Sequence, residues 1–282
     1  MLACVPFADP PLGLPQHSNR QVRFAQQVAN ARDHVIPFVE AVVPVEGKRV
    51  LEVGCGEGGV LKAFADERGC EAVGVDLSPA RIAWAEEHLA ADVAAGRLRF
   101  VAQDVYAPDV EAKLGGTFDV IVLKDAIEHI PDQGRLLRRI ATLLRPGGVV
   151  FIGFPPWRMP YGGHQQITAA KLGKLPWLHL LPRGLYAGVL RRLGEPEHRV
   201  QELLELRDTR LSIHRFERLL REAGYETRRR RLFLLNPIYA YKFGWPPVPQ
   251  LPVVRSLPFV RDFVTTCCYY VVAPRETSVA TP

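Results

Sequence analysis

The feature that most constrains this sequence is the glycine-rich stretch LEVGCGEGG, residues 51–59. It follows a short β-branched run and precedes a helical pattern, so it predicts the tight strand-to-helix turn of a nucleotide-binding α/β fold. Two glycine patterns fit it. One is the G-x-G-x-x-G of dinucleotide enzymes, which ends at Gly59, and the other is E-x-G-x-G-x-G, which begins at Glu52 and ends at Gly58. The glycine spacing alone therefore leaves the ligand open.

From residue 49 onward, short apolar strands alternate with helical stretches. Five such runs lie between residues 49 and 154, namely RVLEV, EAVGV, RLRFVA, FDVIVL and GVVFIGF. The alternation predicts a parallel, doubly wound, Rossmann-like α/β sheet. Two later runs, ETRRRRLFLL and FVTTCCYYVV, bring the expected sheet to about seven strands, the last one antiparallel. After strand five the composition changes, and we expect an α-helical and aromatic cap inserted there.

The same patterns divide the chain into four parts. The first is an N-terminal arm followed by a helix over residues 20–43, and the second is the cofactor-binding core. A cap or lid comes third, and the fourth is a C-terminal helix and strand pair that contains a rigid, proline-rich loop. The expected bounds are 1–47, 48–154, 155–211 and 212–275, with the proline-rich loop at 236–262.

Composition sets wide limits on location and partners. No uncharged stretch reaches the 18 or so residues that a membrane span needs, and the N-terminus lacks the basic region of a secretion signal. The five cysteines have no metal-type spacing, so we expect a reduced, cytoplasmic protein without a bound metal. A net charge of +6 permits a nucleic acid or an anionic membrane as partner without requiring either. The run Arg228–Arg231 is typical of a solvated strand face.

The ends of the strands decide between the two ligands. Strands one to four each deliver a carboxylate to the same edge of the sheet, and these acids are Glu52, Asp76, Asp104 and Asp125. A dinucleotide brings a pyrophosphate dianion, whereas S-adenosylmethionine brings a sulfonium, an ammonium and one carboxylate. Two unit charges 4 Å apart interact by roughly 4 kcal/mol at an effective dielectric constant of 20. A rim of acids therefore favours the cationic ligand, S-adenosylmethionine.

The motifs VLEVGCGEGG, VGVDLS, FVAQDVY, FDVIVLKDAIEHI and LLRPGGVVFIGF resemble, in order, those of the class I S-adenosylmethionine-dependent methyltransferases. The resemblance implies that Asp76 binds the ribose of the cofactor and that Asp104, beside Val105, accepts from the adenine amino group. It also implies that Lys124 and Asp125 line the methyl-transfer end. The whole set of cofactor-binding residues that it implies is Glu52, Gly54, Cys55, Gly56, Gly58, Asp76, Leu77, Asp104, Val105 and Lys124.

Three residues are candidates for catalysis. The methyl group of a sulfonium is already activated, so the enzyme must chiefly align a nucleophile and exclude water. A general base is needed when the acceptor is a poor nucleophile such as a hydroxyl. Asp125 ends strand four, His129 follows in the D-A-I-E-H segment, and His164 lies in the loop YGGHQQ after strand five. We expect residues 155–185 to form a lid in which His164 faces the transferable methyl.

The cap indicates the class of acceptor. Its aromatic side chains suit a small, apolar or aromatic methyl acceptor better than a polynucleotide, so we do not expect nucleic acid as a partner. The segment FPPW (154–157) differs from the amino-methyltransferase motif, because Phe154 replaces the polar residue that would accept from an amine. A methyltransferase acting on RNA or protein, and a non-catalytic cofactor-binding module, are the alternatives. Contact of residues 174–193 with a membrane surface is a further hypothesis.

Overall fold

The computed structural model describes residues 20–275, and the N-terminal arm expected before residue 20 lies outside them. No helix within the described residues is long and apolar enough to cross a bilayer. The α-helices of this part of the chain are α1 (Arg20–Asn30), α2 (Ile36–Glu40), α3 (Gly59–Arg68), α4 (Pro79–His88), α5 (Ala90–Ala94), α6 (Val110–Leu114), α7 (Gln133–Thr142), α8 (Arg183–Arg192), α9 (Glu197–Thr209), α10 (Ile213–Glu222), α11 (Tyr239–Phe243), α12 (Pro252–Ser256) and α13 (Arg261–Val264).

A single mixed sheet contains all the described strands, in the spatial order β3-β2-β1-β4-β5-β8-β6-β7. The first five strands are parallel, and β8 runs antiparallel between β5 and β6. The strands are β1 (Arg49–Val53), β2 (Glu71–Asp76), β3 (Leu98–Ala102), β4 (Phe118–Lys124), β5 (Leu144–Phe154), β6 (Tyr225–Leu235), β7 (Val248–Pro249) and β8 (Cys267–Pro274).

The predicted doubly wound α/β fold is confirmed. The strand order reverses between β1 and β4, and in open α/β sheets such a switch point opens a ligand crevice at the carboxyl ends of the strands. Side chains alternate between two cores, one on each face of the sheet. Val50 and Val122 belong to the core under α3 and α4, whereas Leu51 and Leu123 belong to the core under α7 and α10. Because both faces are buried, the parallel strands are continuously apolar rather than alternating.

The eighth strand is a correction to the expected seven. It is the two-residue β7, which pairs with the end of β6 inside the segment expected to be a loop without elements. That segment also contains α11 and α12 and reaches the start of α13. Its prolines are compatible with these short helices because proline is tolerated at a helix's first position, as Pro252 shows in α12. The final strand consequently starts at Cys267 and not at Phe263.

The N-terminal helix is interrupted. A π-helical turn over Ala31–Val35 separates α1 from α2, and the helix ends at Glu40 rather than at residue 43. Pro37 gives the physical reason, since proline lacks the N–H for an i→i−4 bond and its ring crowds the preceding turn. The interruption leaves Ala31, Val35 and Ile36 fully buried against the sheet.

The cap contains the two helices that the sequence indicates, α8 and α9. They build a small core of their own around Tyr186, Leu190 and Leu203, supported by Ile167 and Leu178 from the preceding loop. Residues 155–182 between β5 and α8 form turns and short 3₁₀ segments without an α-helix. The loop between β5 and α8 therefore owes its shape to packing and side-chain hydrogen bonds.

Candidate active site

The glycine loop between β1 and α3 requires its glycines. Gly54, Gly56 and Gly58 all have positive φ angles, of 78°, 53° and 78°, which side chains rarely adopt. A Cβ at Gly58 would lie 2.6 Å from the Phe100 ring, so this position has no room for one. At Gly56 the nearest atom would be 3.5 Å away, on Arg81. The loop therefore leaves space beside Gly56, where a ligand can approach the backbone.

Asp76 ends β2 and orients this loop. Its Oδ2 accepts a hydrogen bond from Gly56 N–H at 2.9 Å, and its Oδ1 accepts from Ser78 N–H at 2.9 Å. Asp104, which follows β3, similarly accepts from Tyr106 N–H at 2.9 Å. Each carboxylate also has acceptor capacity left for a ligand, because an ionised carboxylate has about four lone-pair sites. The acids of β2 and β3 thus lie on the carboxyl edge of the sheet, as predicted.

Glu52 is the acid that most needs a cation. Its side chain is buried, and Oε2 has no hydrogen-bond partner. Burial, reinforced by Asp76, raises the pKa of Glu52 well above its ordinary value, although Lys124 opposes the shift. A buried carboxylate without a partner costs free energy that a bound ammonium or sulfonium would recover. This orphaned oxygen therefore fits the methionine end of S-adenosylmethionine.

The remaining cofactor candidates divide by accessibility. Leu77 is an exposed apolar side chain directly after the ribose-binding candidate, and Val105 is buried beyond Asp104. Cys55 is buried in the core and packs against Gly74. Its Sγ is so close that a Cβ added at Gly74 would be only 2.5 Å away. The side chain of Cys55 therefore points into the core, and its predicted contact with the cofactor would be through its backbone.

Lys124 and Asp125 form an ion pair at the end of β4. Asp125 has a φ of 52°, which is unusual for a residue with a side chain, and its N–H donates to Gly153 O at 2.8 Å. The Lys124 ammonium is buried, and although burial opposes its charge, Asp125 raises its pKa above the ordinary value. The left-handed turn thus holds an exposed carboxylate beside a buried ammonium at this edge.

A cluster of one carboxyl and two imidazoles lies next to this pair. Glu128, His129 and His164 each offer a ligand atom within 4.8 Å of the other two, so the cluster could hold a metal ion. The ring centroids of His129 and His164 are 5.0 Å apart, and His129 Nε2 is 3.7 Å from Glu128 Oε1. The sequence placed His129 and His164 near the methyl-transfer end but did not single out Glu128, although it precedes His129 directly.

Burial dominates the electrostatics of this cluster. It raises the pKa of Glu128 well above the ordinary value, with Asp125 adding to the effect, and neither oxygen of Glu128 has a hydrogen-bond partner. It lowers the pKa of His164 to about 4, helped by Lys242, while Asp125 opposes the shift. It also lowers the pKa of His129 well below the ordinary value, helped by His164 and Arg81. All three shifts favour neutral side chains when the site holds no ligand.

The cap closes over the cluster. Helix α9 contacts the turn Ile127–His129, and a narrow cavity lies between Glu128, Trp157 and His164. His164 itself has a φ of 54°, and its N–H donates to Tyr161 O at 3.0 Å. The adjacent Gly163 allows close packing, since a Cβ there would lie 2.3 Å from His179. Gly163 thus belongs to a tightly packed loop rather than to a flexible hinge.

Two further helices, α11 and α1, bring side chains to this site that the sequence motifs do not indicate. Helix α11 brings Lys242, whose pKa burial lowers, and Tyr239, whose pKa burial raises to about 12; both respond to the charge of Asp125. Helix α1 reaches the glycine loop, where Arg23 forms a 2.7 Å ion pair with the buried Glu57. The short apolar pattern of α11, inside a proline-rich stretch, could have suggested a helix but not its position.

Comparison with known proteins agrees with this geometry. A sequence model described as a methyltransferase domain matches residues 24–229. The chain belongs to the class I S-adenosylmethionine-dependent methyltransferases. Among solved structures, the magnesium protoporphyrin IX methyltransferase of Synechocystis with bound S-adenosylhomocysteine is similar at a TM-score of 0.51 and 15% identity, covering 91% of this chain and 88% of that one. At this identity the likeness shows the fold, and the family's cofactor is S-adenosylmethionine.

Two curated relatives are both named ubiquinone biosynthesis O-methyltransferase. The protein of Ralstonia nicotianae is 32% identical over 152 residues, which are 54% of this chain and 59% of that protein. The protein of Albidiferax ferrireducens is 32% identical over 177 residues, which are 62% of this chain and 67% of that protein. The chain thus spans about three fifths to two thirds of the length of these relatives.

Proposed function

We propose that this protein transfers a methyl group from S-adenosylmethionine to a hydroxyl group on a small, apolar or aromatic acceptor. In this proposal residues 48–154 bind the cofactor, while the cap (155–211) and α11 cover the acceptor. The observation that carries it is the cluster of the buried Glu128 with the half-buried His129 and His164, beside Asp125, the last of the four strand-end acids. The names of the two relatives, both O-methyltransferases, support a hydroxyl as the acceptor group.

The rim would hold the cofactor as the family resemblance implies. Asp76 would bind the ribose, Asp104 with Val105 the adenine, and Glu52 with the glycine loop the methionine end. The exposed Leu77 would pack against the adenine as well. The bound cofactor supplies an activated methyl group. The ion pair of Lys124 and Asp125 would then lie at the methyl-transfer end, with the exposed carboxylate of Asp125 near the cluster.

The cluster would handle the proton that the acceptor loses. A hydroxyl gives up its proton when it becomes a methyl ether, and a positioned base accelerates such a step by about 10²- to 10⁴-fold. Uncharged imidazoles can accept this proton. Burial keeps Glu128 neutral when no ligand is bound, and in this proposal the positive charge of the bound cofactor ionises it, so that its carboxylate is a stronger base than an exposed one. We propose that His164 and His129 contact the acceptor and that Glu128 balances the imidazolium charge. The closed cap would exclude water.

The test is methyl transfer from radiolabelled S-adenosylmethionine to a panel of alkyl-substituted phenols and catechols, with amines of matched shape as the comparison. We expect transfer to hydroxyl oxygen and better turnover of the acceptors with apolar substituents. Transfer to the amines alone would contradict O-methylation, and cofactor binding without any transfer would favour a non-catalytic module. Loss of transfer in chelator, restored by a divalent ion, would show that the cluster works through a metal rather than as a base.

A further inference from the structure

Exposed apolar side chains are concentrated in two segments of this protein. Within residues 20–275, twelve of the thirteen large apolar side chains that are exposed lie in residues 172–185 or 243–264, and Leu77 in the cofactor site is the exception. Val253 is 72% exposed, and Phe259 and Leu185 are both 62% exposed. Such a concentration in a folded protein marks a surface that meets an apolar partner. The second segment lies outside residues 24–229, which the methyltransferase-domain model matches.

The two segments are joined through Arg158. The indole N–H of Trp177, in the first segment, donates to Arg158 O at 3.2 Å. The Arg158 guanidinium carbon lies 4.6 Å from the ring centroid of Phe259, in the second segment, and its Nη1 is 3.5 Å from Asp262 Oδ2. We name the combined surface the apolar rim. Its members are Leu172, Leu175, Trp177, Leu185, Leu251, Val253, Leu257, Phe259 and Val260.

The backbone of the apolar rim holds these side chains outward. Trp177 has a φ of 62°, a conformation that costs free energy for a residue with a side chain, and its ring stays 43% exposed. Helix α12 has no buried residue, so its valines contribute nothing to the core of the protein. Both arrangements leave large apolar side chains exposed in the part of the chain that the structure describes.

The charge of the surrounding chain indicates what covers them. Residues 155–194 and 236–261 together contain nine basic residues and no aspartate or glutamate. The rest of the chain holds 27 basic and 30 acidic residues, so the two segments carry the excess of basic residues in the sequence. Four of the nine basic side chains form ion pairs with acids outside these segments, namely Arg158, Arg183, Arg191 and Arg261, and Lys171 and Arg255 are exposed. Apolar side chains interspersed with basic ones are the composition of surfaces that dock on anionic bilayers. An acidic protein groove would complement the charge too, but it would need a defined shape rather than scattered short turns.

The same segments lead to the candidate active site. Tyr239, whose pKa responds to Asp125, lies in a ring cluster with the exposed Phe243 and Trp245 at centroid distances of 5.4 and 6.4 Å. On the other side, Trp157 precedes Arg158 and lines the cavity beside His164. Residues 155–194 and 236–261 thus contribute side chains both to the apolar rim and to the acceptor end of the candidate active site.

We propose that the apolar rim docks the protein on the surface of an anionic membrane and that the methyl acceptor enters from the bilayer. The docking stands on exposure and charge alone, whereas the route of the acceptor rests on the proposed function. Apolar side chains would enter the interface between headgroups and acyl chains, and the basic residues would contact the anionic headgroups. Arg255 lies within the most exposed part of the rim and would contribute to this contact.

Co-sedimentation of the untagged protein with vesicles tests the docking. We expect binding to vesicles of phosphatidylcholine and phosphatidylglycerol, weak binding to phosphatidylcholine alone, and a steep decrease with added salt. The double variant Leu257→Ser/Phe259→Ser and the variant Arg255→Glu should each lower the partition coefficient about 10-fold or more. The matched control is Lys113→Glu, which reverses an exposed charge in the cofactor half and should bind vesicles like the wild type.

Titration with S-adenosylhomocysteine accompanies each variant. Unchanged affinity shows that the variants are folded and that loss of vesicle binding is local. Vesicle binding that is unchanged by these substitutions would overturn the proposal, as would a wild-type protein that does not bind vesicles. Self-association of the wild type without vesicles, lost in the double variant, would overturn membrane docking. It would assign the apolar rim to contact with a second copy of the chain. Failure to bind S-adenosylhomocysteine would count against the proposed function and leave the vesicle result to be judged separately.

Discussion

The half of the molecule that faces the cofactor and the half that faces the acceptor are built by different means. The cofactor half places its acids at the ends of parallel strands, where strand register and backbone hydrogen bonds fix them. The acceptor half places His164 and Lys242 on loops and short helices, where packing between the cap, α11 and the sheet fixes them. Strand ends are rigid and recur in sequence at regular spacing, whereas contacts between loops do not. Cofactor binding and methyl transfer should therefore respond separately to mutation.

The largest difference between the effects on cofactor binding and on methyl transfer is expected at the cluster of Glu128, His129 and His164. Glu128→Gln and His164→Asn should each lower methyl transfer by roughly 10²-fold or more, because the first removes the carboxylate that balances the imidazolium charge and the second removes an imidazole that contacts the acceptor. Asparagine tolerates the left-handed backbone at residue 164, so this variant removes the imidazole with little added strain. The affinity for S-adenosylhomocysteine should stay within about 2-fold, since the acids at the strand ends and the glycine loop supply the contacts with the cofactor. His214→Ala, on the exposed side of α10, is the control, and equal loss of cofactor affinity would contradict the separation.

The converse separation is expected at Asp76. Asp76→Ala should weaken binding of S-adenosylmethionine by about 2 kcal/mol, because the ribose hydroxyls and the N–H of Gly56 would lose their acceptor. Calorimetric titration measures this directly, and Glu111→Ala, an exposed acid elsewhere in the cofactor half, should have no effect. Wild-type affinity in a folded Asp76→Ala protein would mean that the cofactor lies elsewhere.

A third variant tests the junction between the two halves. Glu217 accepts hydrogen bonds from Arg230 and Arg261 at 2.6 Å each, and although burial opposes the shift, these arginines lower its pKa below the ordinary value. A lowered folded-state pKa stabilises the protein above the unfolded-state value and loses that effect as pH falls through the folded-state value. Glu217→Gln should therefore cost about 1–3 kcal/mol at neutral pH and progressively less in acid. Denaturant unfolding measured at several pH values checks it, and a cost that does not change with pH would exclude the ionised carboxylate as its source.

The smallest effect compares one buried tyrosine from each half. The hydroxyl of Tyr225, in the sheet, donates to Leu137 O at 2.9 Å, whereas the buried hydroxyl of Tyr186, in the cap core, has no partner. Tyr225→Phe should destabilise the protein by about 1 kcal/mol, while Tyr186→Phe should be neutral or stabilising. Thermal unfolding of both variants measures the difference. Equal destabilisation would show that the Tyr186 hydroxyl has a partner when the protein is in solution.

The sequence predicted the fold and the cofactor edge because both follow from local patterns. Parallel strands buried on both faces are continuously apolar, and an acid directly after such a strand must lie at its carboxyl end. The left-handed turn at Asp125 and the contact of His164 with His129 depend on tertiary packing, so no spacing in the sequence indicates them. The short helices of the proline-rich segment were missed for a related reason. Prolines at first helical positions resemble a loop in sequence, and the apolar rim leaves no periodic pattern.

The most direct test of the central claim is a crystal structure of the protein with S-adenosylhomocysteine. We expect the ribose hydroxyls to contact Asp76, the adenine to lie beside Asp104 and Leu77, and the sulfur to face Asp125 and the cluster of His129 and His164. Space for the acceptor should then adjoin the sulfur, under the cap. A ligand bound in the reverse orientation, with its sulfur turned away from the cluster, would contradict the account.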